Sequence, residues 1–277
     1  MKRRQFLQQL GAGTALAGMG FPRLGMAAGV SFQLHNKVGQ NILLESLNNP
    51  NYWNGVEVER PTDQLYDQFK LKKLDAGYLT FVSGHGNQNY TREQVVQTVL
   101  YSQNYLPNHM AGAKAMTYFG EGIDSHFGVP YTDMVFLGDM DFFYCEYFQR
   151  MYRYDLPGDR TICAFERATK QFVKPDRWTL YESTRKASID GADLRWPILN
   201  DIVPVTDVFG MYIIEPGTNY QTRVTMTAKL RFGTGTGFLA QWGSEIPYLI
   251  RSGTLNGFNA SVAIVKGMKD GVYPMRK

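Results

Sequence analysis

Between residues 113 and 232 the apolar pattern of this chain repeats every second residue, and a single long apolar helix follows. The runs 113–119, 129–137, 142–154, 161–169, 178–188, 208–215 and 222–232 read as strands, divided by Gly, Pro and Asp. Strands so closely spaced form an antiparallel meander, and such a sheet must hide one face. Phe238, Trp242, Ile246 and Ile250 recur at i+4 and are continued by Leu255, Phe258, Val262 and Val265. They give a closing helix with one broad apolar stripe, which Pro247 should kink or break near Ile246. The helix acts as a lid on the sheet, and a strongly curved sheet can leave an apolar cavity beneath it.

Upstream, residues 77–83 alternate as a strand. A polar loop from His85 to Tyr90 leads to Thr91, an N-cap with Gln94 as capping-box partner. Val95, Val96, Val99 and Leu100 carry that helix to about Tyr105, and Pro107 ends it. Residues 28–76 read as a lead-in packed on the main domain, with a short helix near 38–47 and a helix or extended segment near 63–71. Residues 189–207, holding Trp196-Pro197 and Pro204, read as a looser insertion.

Residues 1–27 have the plan of an export signal: basic start, apolar middle, small residues at the end. Arg3 and Arg4 before Phe6 and Leu7 match the twin-arginine pattern, which implies export in the folded state to the periplasm or beyond. Lys2, Arg3, Arg4 and Arg23 account for the whole net charge of +4, so the remainder is neutral and gives no support to nucleic-acid binding. Charged residues make up only 19% and aromatics 14%, which fits a β-rich body with much apolar interior. With Pro157-Gly158 as a two-residue turn, Cys163 faces Tyr152, about 23 Å along the strand from Cys145. That separation excludes a disulfide and leaves two half-buried thiols.

The element order over residues 77–266 resembles the START/SRPBCC superfamily, whose helix-grip fold is α+β, a curved antiparallel sheet wrapped around a long C-terminal helix. The likeness rests on Tyr212 to Pro216, on Thr222-Arg223-Val224-Thr225, on the Gly233–Gly237 corner and on the early strand with its capped helix. Residues 77–277 are identified on this basis as a START-like domain. The resemblance implies a hydrophobic ligand, lipid, sterol or polyketide-like; a minority of the superfamily are cyclases, hydrolases or oxygenase components. The insertion and the glycines at 243, 253 and 257 depart from the pattern.

The run FFYCEYFQRMYRY places Tyr144, Glu146, Phe148 and Arg150 on one strand face. In the two-residue-turn register Phe165 faces Arg150, and Arg167 faces Phe148, diagonal to Glu146. A Glu–Arg pair among aromatics can orient a ligand's hydroxyl or carboxyl inside a cavity; an outward, solvated face is the alternative, and turn length decides between them. The ligand-binding candidates are therefore Tyr144, Glu146, Phe148, Arg150, Phe165, Arg167, Tyr212 and Trp242. Glu146, Tyr144 and His85 are weak acid–base candidates for an enzyme on the same scaffold. Asp139 and Asp141 read as a solvated strand start. No zinc spacing, dinucleotide fingerprint or serine elbow occurs, so no metal and no cofactor is called for. The leading reading is an exported carrier of a hydrophobic ligand, with a non-catalytic interaction module as the third option. A peripheral membrane contact stays open, and no protein partner is indicated.

Overall fold

A computed structural model describes residues 30–61, 66–85, 90–102, 113–139, 144–190, 202–217, 221–233, 243 and 245–269. Nine strands form one sheet: β1 (Val58–Glu59), β2 (Tyr66–Lys73), β3 (Tyr78–Gly84), β4 (Ala113–Ile123), β5 (Pro130–Asp139), β6 (Tyr144–Leu156), β7 (Arg160–Arg167), β8 (Ile202–Pro216) and β9 (Thr222–Phe232). Their order is β1-β2-β3-β9-β8-β7-β6-β5-β4. From β4 to β9 this is the expected meander, and β3 closes against β9. Because β7 is short, the start of β6 reaches past it and pairs in parallel with the start of β8, Glu146 opposite Pro204.

The β6–β7 hairpin sets which side chains face inward. Leu156 pairs with Arg160 across Pro157, Gly158 and Asp159, a three-residue loop rather than the expected two. Gly158 and Asp159 both take positive φ, 75° and 60°, the left-handed geometry such loops use. The extra residue slips the register by one: Phe165 faces Met151 and Arg167 faces Gln149. A one-residue slip reverses the faces of one strand relative to the other. Cys163 accordingly faces Arg153 rather than Tyr152. The two cysteines form no disulfide, and they are fully buried rather than half-buried.

Among the described residues, four helices cover the sheet. On the inner face lie α2 (Arg92–Leu100) and α4 (Pro247–Lys269), which pack on each other; α2 also reaches β7 and β8, and α4 reaches β2, β3 and β9. Thr91 and Gln94 form the expected capping box on α2. Pro247 opens α4, where its missing N–H costs nothing; the helical start expected near Phe238 lies outside the described residues. On the outer face, α1 (Lys37–Asn48) sits against β8, with Gly39 beneath the Phe209 ring.

The fourth helix, α3 (Pro175–Asp190), corrects the strand expected over 178–188. Trp178 and Tyr181 are three apart and pack together against Phe148, which is helix spacing; Pro175 with Asp176 is the N-terminal signal. Residues 202–207, expected in a loose insertion, are the first part of β8. The stretch before residue 77 holds α1 and two strands of the sheet, and the segment expected as helix or extended is β2.

Candidate functional site

A cavity of about 180 Å³ lies between the inner sheet face and α4. Alternate residues of the strands line it: Met116, Phe136, Tyr147, Gln149, Met151, Phe165, Val208, Tyr212, Met226, Ala228 and Leu230. Val99 and Ser102 close one side, and Leu249, Ile250, Gly253, Thr254 and Gly257 of α4 form the roof. Gly253 and Gly257 are one helical turn apart, and a Cβ at Gly253 would meet nothing within 4 Å. The roof is thus kept low in side-chain volume directly over the space. Apolar cavities of roughly 150 Å³ take up benzene-sized guests.

Few polar groups reach this space. The Thr80 hydroxyl donates to the Ala228 carbonyl at 2.9 Å, and the Thr254 hydroxyl to the Ile250 carbonyl at 2.8 Å. Lys229 pairs with Asp207 at 2.7 Å. Ser102 and Gln149 both turn to the Met134 sulfur, at 3.4 and 3.8 Å. Burial pushes the Tyr147 phenol well above its usual range, with Cys145 and Tyr212 adding to the effect. Tyr147 therefore stays a neutral O–H donor.

Of the ligand-binding candidates, Phe165 and Tyr212 line the cavity. Tyr144, Glu146, Phe148 and Arg150 belong to the opposite, outer face, the consequence of the hairpin's third loop residue. Glu146 pairs with Arg185 of α3 at 2.9 Å and accepts the Tyr181 hydroxyl at 3.2 Å, so its partner is not Arg167. Phe148 stacks on Tyr181 with ring centroids 4.3 Å apart. Arg167 donates to the Thr206 carbonyl. His85 follows β3 directly and is not among the cavity residues; Asp139 ends β5; Trp242 and Asp141 lie outside the described residues. Tyr147, Gln149 and Met151 were missed. They occupy the odd positions of the aromatic run, and the Pro-Gly-Asp loop was the signal that selects them.

Arg150 instead centres a buried outer-face network. Its guanidinium meets Asp133 through Nε at 2.8 Å and Nη2 at 2.9 Å, and Asp124 through Nη1 at 3.1 Å. The Tyr131 ring lies 3.9 Å away. Burial works against the Arg150 charge, but the bonds to Asp133 outweigh it and raise the guanidinium further. Asp124 also accepts the backbone N–H groups of His126 and Phe127. Burial alone would raise its carboxyl; these bonds, with His35 and Arg150, hold it below the usual range. His35 stacks on Phe172 at 4.1 Å, its Nε2 3.6 Å from Asp124. Burial lowers the imidazole despite that carboxylate. The geometry is that of a structural clasp, tying residues 31–36 to the sheet.

No family model and no curated protein matches the sequence. Solved structures do match the fold. A STAR-related lipid transfer protein from Xanthomonas axonopodis superposes with TM-score 0.53 at 7% identity, over 77% of this chain and 99% of that one. Human StAR-related lipid transfer protein 5 gives 0.51 at 12%, over 86% and 97%. Human STARD10 gives 0.50 at 8%, over 79% and 77%. In strand order, in the closing helix and in the face that helix covers, this chain has the START, or helix-grip, fold.

Proposed function

We propose that the protein binds and carries a hydrophobic small molecule, of the lipid, sterol or polyketide-like kind, in the cavity between its sheet and α4, without catalysis. The apolar cavity roofed at Gly253 and Gly257 carries this reading. The lipid-transfer proteins of like fold support it. The acid–base candidates Glu146 and His85 are not among the cavity-lining residues, which favours carriage over a cyclase or hydrolase. The twin-arginine-type start supports a place in the periplasm or outside the cell. The test is mass spectrometry of an organic extract of the purified protein, beside Gly253→Phe, which fills the roof. A stoichiometric apolar species in the wild type and its loss in the variant are expected. An empty wild type that takes up no apolar probe would overturn the reading.

A further inference from the structure

Most polar side chains lining the cavity are already paired, Thr80, Thr254 and Lys229 among them, but Gln149 is not well satisfied. Gln149 is only 6% exposed. Its amide has two N–H donors and a carbonyl acceptor. Among the described residues its one hydrogen-bond partner is the Met134 thioether at 3.8 Å, a weak acceptor. Buried amides left so poorly paired are rare and call for an explanation. Two residues along the same strand face, about 7 Å away, is Tyr147, whose hydroxyl forms no hydrogen bond with a described residue. Its ring lies 5.1 Å from that of Phe136. Amide and phenol together offer donors and an acceptor on one strand face of a mainly apolar space.

Charge is scarce among the described lining residues. Only Lys229 among them is charged, and its ammonium is held by Asp207 at 2.7 Å. Among the described lining residues a carboxylate or phosphate drawn into such a space would find no uncommitted counter-ion, and an unpaired buried charge is strongly disfavoured. A neutral hydroxyl or carbonyl would instead complete the pairing of Gln149.

We therefore propose that the ligand is uncharged and carries a hydroxyl or carbonyl group, which docks on Gln149 and Tyr147 while its apolar body lies under α4. This rests on the carrier reading and narrows it to neutral, singly polar molecules rather than fatty acids or phospholipids. Gln149 and Tyr147 become the residues that set specificity.

Three matched probes test it by calorimetry: naphthol, methylnaphthalene and naphthoate, substituted at the same ring position. Naphthol should bind about tenfold more tightly than methylnaphthalene, the worth of one neutral hydrogen bond, and naphthoate should bind weakest. Gln149→Leu should abolish the preference for naphthol over methylnaphthalene, with an unchanged far-UV circular dichroism spectrum showing that the variant is folded. Tyr147→Phe should reduce the same preference and serves if the leucine variant does not fold. Naphthoate binding as tightly as naphthol would overturn the proposal, and so would a naphthol preference that survives both substitutions. Equal binding of all three probes removes only the polar-end assignment, whereas failure of all three to bind removes the carrier reading beneath it as well.

Discussion

The Glu166 carboxylate accepts the backbone N–H of Asn36 at 2.7 Å, across 130 residues of chain. It also accepts the His35 N–H at 3.0 Å and the Tyr152 hydroxyl at 2.9 Å. Together with buried Phe32 and Leu34, this carboxylate fastens the first described residues to the outer sheet face. Glu166→Ala strands two backbone donors and a phenol. It should cost about 3 kcal/mol in urea unfolding and speed proteolytic cleavage near residue 36. A loss under about 1 kcal/mol would show that the clasp is held by packing instead.

The same clasp should loosen on mild acidification. The folded-state pKa of His35 lies below its ordinary value of 6.5. As pH falls below that value the unfolded chain takes up a proton that the folded one refuses, so stability declines until the folded pKa is passed. The Asp124 contribution, from a lowered carboxyl whose ordinary value is 3.8, is lost only in stronger acid. His35→Phe keeps the stack on Phe172 and removes the proton. Its melting temperature should fall less between pH 7 and pH 5 than the wild type's; an unchanged slope would assign the titration elsewhere.

Breaking the Arg150 network should be severe. Arg150→Leu leaves Asp133, fully buried, without its cation, a defect worth about 3–5 kcal/mol. Arg150→Leu with Asp133→Asn should recover part of that loss. Chemical denaturation of the single and double variants measures both, and a double variant no better than the single would refute an uncompensated charge as the cause.

Two glycines should respond in opposite directions to alanine. At Gly253 the added methyl enters open space, and replacing a helical glycine stabilises by about 1 kcal/mol. At Gly210 a Cβ would lie 2.7 Å from the Thr227 carbonyl oxygen and press on the Phe165 ring, an overpacking cost of about 1–3 kcal/mol. Thermal melts of the two variants should move apart; a common direction would contradict the described packing around one of them.

Glu146 separates carriage from catalysis. Glu146→Gln weakens its contact with Arg185 on the outer face. It should lower stability slightly while leaving the bound species in the extract unchanged. Loss of the ligand at unchanged stability would place this residue in the cavity after all.

What could be read from the sequence follows the physics of each signal. The Thr91 capping box, β9 and the roofing by α4 were legible because each rests on local pattern. The strand expected over 178–188 failed because Trp178, Leu180 and a few polar residues imitate alternation, while the true contact is Trp178 with Tyr181. The cavity was legible only in part. Phe165 and Tyr212 line it, but Glu146, Phe148 and Arg150 lie on the outer face, because one loop residue, Asp159, decides the register and leaves no trace in the strand composition.

The seam between β3 and β9 joins Ser83 to Thr225 across 142 residues, and β1 and β2 attach to the sheet only through β3. A ribosome must therefore release almost the whole polypeptide before these three strands have an edge to settle on. Until then their Val- and Phe-bearing surfaces wait unpaired, so the slow and aggregation-exposed stage of this protein's life falls after synthesis, not during it.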